Sequence, residues 1–155
     1  MNKLLIKTIH EDAKIPFYAK AGDCGLDLFT TEDVDIMPFT AEAIPTGIQI
    51  GLPDDCEGMI RPRSGNSLKG VPCFIDSEED KVNMYIDVKL GTVDTGFRGE
   101  IKIITFNPYN IPVTVPKGTK LAQMVINKVE RPTIQIVEEL DETDRGSNGF
   151  GSTGV

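Results

Sequence analysis

Proline and glycine interrupt this chain so often that they leave little room for long helices. Pro16, Gly22, Gly25, Pro38, Pro45, Gly47, Gly51 and Pro53 punctuate its N-terminal part, and each such residue tends to end or bend a regular element. Between the breaks lie short runs rich in β-branched and aromatic residues, at 3–9, 25–30, 43–52, 58–61, 100–107, 114–115 and 121–129. Ile44, Thr46, Ile48 and Ile50 recur with a period of two, as do Ile101 and Ile103 around Lys102, the pattern of strands with one buried face. Many short strands with frequent turns predict an all-β sandwich, barrel or jelly roll, with 64–70 as the one short helical turn. A chain of 155 residues can bury one core but not two of ordinary size, so 1–155 reads as a single domain. Its net charge of −8 argues against a long nucleic acid as partner, since backbone binding needs clustered Lys and Arg. No apolar run is long enough to span a bilayer, and 1–7 lacks the apolar stretch of a secretory signal, so a cytoplasmic protein is expected. Cys24, Cys56 and Cys73 are odd in number and far from one another and from His10, which fits neither a disulfide framework nor a zinc site.

Four stretches can carry chemistry. The tail Arg145-Gly-Ser-Asn-Gly-Phe-Gly-Ser-Thr-Gly-Val155 combines turning backbone and hydroxyl donors, which cradle phosphates, with a guanidinium and a ring suited to phosphate and base. A flexible terminal linker is the plain alternative, and the Walker ending Gly-Lys-Ser/Thr is missing. Arg61-Pro-Arg-Ser-Gly65 places two arginines at a helix start, an anion site or equally a solvated capped turn. In Gly91-Thr-Val-Asp-Thr-Gly-Phe-Arg-Gly-Glu100, two short strands joined by a turn, Asp94 is either a turn former or a base that activates water beside the apolar wall of Phe97. Asp27 lies inside a strand-like run although Asp is a poor strand former, which marks either a site or a hydrogen-bonded turn neighbour.

With a fifth stretch, Lys117-Gly-Thr-Lys-Leu-Ala-Gln-Met-Val-Ile126, these segments resemble the five motifs of the trimeric dUTPase family, in the family's order and across nearly the whole chain. The resemblance implies a distorted jelly-roll or β-barrel-like subunit with at most one short helix, assembled as a homotrimer that hydrolyses dUTP to dUMP and pyrophosphate with Mg2+. Asp27 matches the acid that holds water around the magnesium, and Arg63, Ser64, Gly65 and Gln123 match residues at the phosphates. Asp94 matches the acid that positions the attacking water, in a hairpin that reads uracil and deoxyribose from Gly91 onward. Arg145, Phe150, Gly151, Ser152 and Thr153 match a mobile arm, near 141–155, that closes over the nucleotide. In such trimers motifs one, two and four come from one subunit, the hairpin from a second and the arm from the third.

Two departures stand out. Phe97 takes the position of the family's Tyr, keeping the ring that excludes a ribose hydroxyl, and 71–84 reads as an inserted surface excursion with an acidic run at 77–80. Cys24 has no chemical role in the motif and reads as a small buried residue. The runner-up is a dCTP deaminase, whose chemistry uses a glutamate ten residues after the hairpin acid; Ile104 stands there. A third reading is a dUTPase-like domain that regulates a protein partner, whose identity the residues leave unknown.

Overall fold

Residues 3–75 and 80–147 are described by the computed structural model, and among them twelve strands and one helix account for the regular structure. The strands are β1 (Leu5–Thr8), β2 (Gly25–Phe29), β3 (Val34–Ile36), β4 (Ala41–Gly51) and β5 (Cys56–Pro62), followed by α1 (Ser64–Lys69). After the helix come β6 (Val71–Ile75), β7 (Val82–Met84), β8 (Asp87–Val88), β9 (Gly91–Val93), β10 (Glu100–Phe106), β11 (Val113–Val115) and β12 (Lys120–Lys128). They form three antiparallel four-stranded sheets, ordered β1-β4-β10-β8, β3-β11-β6-β7 and β2-β12-β5-β9. The fold is therefore all-β, a distorted jelly roll with one short helix.

The alternating residues are what make these strands bury one face. Ile44, Thr46, Ile48 and Ile50 of β4 and Ile101 and Ile103 of β10 are all buried, and Lys102 between the last two is exposed. Leu28, Leu121, Met124, Val113 and Val115 join them from the other sheets in one core. Pro45 is tolerated in the long strand because β1 pairs only with Ile48–Gly51, so at Pro45 β10 is the sole ladder neighbour.

Three readings of the sequence are corrected here. The segment 71–84 is not a surface excursion along its length. Its ends are β6 and β7, paired through Val71↔Met84 and Cys73↔Val82, and Val71, Cys73 and Met84 belong to the core. Trimming it to a linker would remove three core side chains and one edge of a sheet. Burial also pushes the Cys73 thiol up to about 12, which leaves it inert as a nucleophile at neutral pH. The strands flanking the Asp94 turn are not ladder partners, because β9 pairs with β5 and β10 with β4 and β8. Cys24 is exposed, since it ends the turn before β2 and never enters the strand's alternation.

Candidate functional site

The sheet β2-β12-β5-β9 lines up the first set of polar residues. Gln123 of β12 is paired with Asp27 of β2 on one side and Arg61 of β5 on the other, and directly paired residues project from the same face. The extended backbone of Arg63 (φ −92, ψ 134) continues the period of two past the end of β5, which returns its side chain to the face of Arg61. Arg63 Nε donates to Asp27 Oδ1 at 2.9 Å. Lys120 Nζ stands 2.9 Å from Oδ2, an ion pair outside hydrogen-bonding direction, so this buried oxygen has charge compensation but no hydrogen bond. Lys120 is steered there by cation–π contacts with Phe17 and Phe29, at 5.5 and 5.6 Å from the ring centroids.

Behind Arg63, α1 begins without any side-chain cap, so no side chain satisfies its first amides beside Ser64 and Gly65. Asn66 ties this turn down, its Nδ2 donating to the carbonyls of Lys120 and Leu121 at 3.0 Å each. Gln123 Nε2 donates to Pro62 O at 3.0 Å, and its side chain lies so close over Gly25 that a Cβ there would stand 2.3 Å from Oε1. The result is a polar cleft of about 230 Å³ bordered by Asp27, Arg63, Ser64, Gly65, Gln123 and Cys24. Guanidinium, hydroxyl and uncapped amides suit a polyanion. Among the described residues no group of three His, Cys, Asp or Glu side chains could hold a metal by itself. The orphaned Asp27 oxygen instead fits an acceptor for water on a cation that the anion itself carries.

A second cleft, about 270 Å³, opens where the chain crosses from β9 to β10 and so from one sheet to another. Ile60, Val93, Ile101 and Ile104 give it apolar walls, and Gly91, Asp94 and Phe97 line its rim. The turn that carries Asp94 is braced from three sides. Phe97 N donates to Asp94 O at 3.0 Å, Arg98 Nη1 to the carbonyls of Thr95 and Phe97 at 2.8 and 2.7 Å, and Thr95 Oγ1 to Cys56 O at 2.6 Å. Arg131 closes the brace from the C-terminal side by donating to Thr95 Oγ1 at 3.0 Å. The exposed Asp94 carboxylate makes no hydrogen bond or ion pair among the described residues, so it is available to a ligand.

The structure thus brings together Asp27, Arg63, Ser64, Gly65 and Gln123 in one cleft and Gly91, Asp94 and Phe97 in another, and no residue borders both. Arg145 is exposed in a turn and lines neither, while Phe150, Gly151, Ser152 and Thr153 lie outside the described residues. Lys120 and Asn66 escaped the sequence reading. Lys120 lies in the fifth stretch three residues before Gln123, but only the fold shows that its ammonium meets Asp27.

A β-sheet protein with one polar cleft that gathers Arg63, Ser64, Gly65 and Gln123 and a separate, largely apolar cleft with Asp94 at its rim has the layout of a nucleotide-handling enzyme. A family model described as dUTPase matches residues 11–154. The deoxyuridine 5'-triphosphate nucleotidohydrolase of Clostridium kluyveri is 45% identical over 153 residues, covering 99% of each chain. That of Caldanaerobacter subterraneus is 46% identical over 150 residues, covering 94% of this chain and 93% of the relative. The dUTPase of Staphylococcus bacteriophage 80alpha with dUPNHPP shares the fold at a TM-score of 0.85, with 24% identity over the whole of both chains. The chain belongs to the dUTPase family.

Proposed function

We propose that this chain hydrolyses dUTP to dUMP and pyrophosphate, limiting uracil incorporation into DNA and supplying dUMP for thymidylate synthesis in the cytoplasm. The observation that carries the reading is the Asp94 carboxylate, without a hydrogen-bond or ion-pair partner among the described residues, at the rim of an apolar cleft, on a chain whose other cleft offers a guanidinium and a hydroxyl suited to phosphate. Uracil and deoxyribose occupy the apolar cleft between Gly91 and Phe97. Arg63, Ser64, Gly65 and Gln123 hold the triphosphate, and the arm residues Arg145, Phe150, Gly151, Ser152 and Thr153 close over it. Asp94 takes a proton from a water that attacks the α-phosphorus in line, so that a new P–O bond forms on dUMP as the bond from that phosphorus to the bridging oxygen breaks and pyrophosphate leaves with the bridging oxygen. Arg63 and Arg145 stabilise the oxygens on which charge develops. Asp27 is the residue that would hold Mg2+ of the bound triphosphate, by accepting hydrogen bonds from its water shell, and the ion would supply charge neutralisation for the leaving pyrophosphate.

The two clefts share no residue, and we place the Arg63 cleft of one subunit and the Asp94 cleft of another in one site of a homotrimer. The chain also carries a segment suited to a second copy. From Arg131 to Ser147 every residue is exposed, and Ile134, Ile136 and Leu140 are 91, 94 and 84% exposed. Three aliphatic side chains this bare on one otherwise mostly polar segment fit burial against another chain.

The deaminase reading is weaker. Ile104 borders the Asp94 cleft where that chemistry needs an acid, and the one glutamate beside it, Glu100, accepts from Gly47 N at 2.9 Å. Incubating the purified protein with dUTP, dCTP and UTP in the presence of magnesium decides the matter. Pyrophosphate and dUMP from dUTP alone are expected, and ammonia released from dCTP would overturn the reading.

Phe97→Ala should raise the kcat/KM for UTP relative to dUTP by about tenfold or more, because the ring no longer walls off the 2′-hydroxyl. Competition between the two nucleotides measures it, and an unchanged preference would move discrimination to another residue.

A further inference from the structure

Phe97 is 44% exposed, so its own burial does not fix where its ring stands. Its backbone is fixed by the Arg98 guanidinium, which bridges the carbonyls of Thr95 and Phe97. The freedom that remains is rotation of the side chain, and the ring has turned back onto the backbone of Gly99. A Cβ at Gly99 would stand 2.6, 3.1 and 3.4 Å from Cζ, Cε2 and Cε1 of Phe97, its three nearest atoms. The backbone at Gly99 does not lie in the left-handed region, so a side chain there is opposed by the ring and not by φ.

We infer that Gly99 is a positioning residue for nucleotide selection: its bare backbone is the seat that holds the Phe97 ring as the wall of the sugar cleft. The inference rests on the proposed role of Phe97 as that wall. Gly99 touches no substrate and acts only through the ring. An added methyl forces the ring tip outward by about 1 Å to regain ordinary contact, a displacement that costs an active site roughly ten- to a hundredfold.

The test is a double-mutant cycle on the full-length protein, with dUTP and UTP as the probes and the thermal midpoint recorded for every variant. Gly99→Ala alone should lower the dUTP-over-UTP ratio of kcat/KM about tenfold, with kcat for dUTP less affected than KM. In the Phe97→Ala background the same substitution should change the ratio by less than about twofold, because the atoms it would strike are gone. An unchanged ratio in Gly99→Ala, or an equal loss in both backgrounds, overturns the seat. If Phe97→Ala itself leaves the ratio unchanged, the wall reading fails and the seat's role in selection falls with it. Should Gly99→Ala fail to fold, Phe97→Leu in the same chain should restore folding by removing the ring tip; failure to do so also overturns the inference.

Discussion

Asp94→Asn should lower dUTP turnover by about 10²- to 10⁴-fold while leaving the thermal midpoint and nucleotide affinity close to those of the parent. The amide keeps the size and shape of the side chain but cannot take a proton from water at neutral pH. Stability is spared because the carboxylate is exposed and makes no hydrogen bond or ion pair among the described residues, so nothing in the fold is left unsatisfied. The turn keeps its place through main-chain and neighbouring contacts: Phe97 N on Asp94 O, Arg98 on two carbonyls and Thr95 on Cys56 O. Pyrophosphate release gives kcat, and titration with a non-hydrolysable dUTP analogue gives affinity. A loss confined to KM would make Asp94 a binding group, and unchanged turnover would remove it from the chemistry.

Much of the fold was legible because long strands advertise themselves. β4 and β10 carry alternating isoleucines whose buried face follows from a period of two, and α1 follows from the run after Arg63. β3 and β8, at three and two residues, are too short for any period to register. In the segment 71–84 the signal was present, since Val71 and Cys73 alternate with exposed Pro72, but its extra length made it look like a loop. Pairing was beyond reach: a strand, a turn and a strand in sequence suggest a hairpin, whereas β9 finds β5 and β10 finds β4 only once the sheets are assembled. The same limit hid Lys120, whose meeting with Asp27 depends on β2 lying beside β12. Asp27, Arg63, Ser64, Gly65 and Gln123 of the polar cleft were named from the motifs they resemble. Their convergence follows from the register that sets Gln123 opposite Asp27 and Arg61.

Activity should return when two inactive variants are combined: Asp94→Asn, and a chain truncated before Arg145. The central claim is that the two clefts of one chain are parts of different sites, each completed by the Asp94 turn of a second subunit and the arm of a third. The absence of any residue common to both clefts, and the exposed Ile134, Ile136 and Leu140, motivate it. In a mixed trimer, a site can receive its Asp94 turn from the truncated chain and its arm from the Asp94→Asn chain. Random assembly of an equal mixture creates such a site in about one of four cases, so roughly a quarter of the parent activity should reappear. Were each chain to build its own complete site, every site would carry one of the two defects and no mixture could help. The decisive measurement is therefore the dUTP hydrolysis rate after the two variants are unfolded and refolded together, with mixed trimers verified by mass. Recovery to about a quarter of the parent rate supports a site shared among subunits. Verified mixed trimers that hydrolyse dUTP no faster than either variant alone would contradict it.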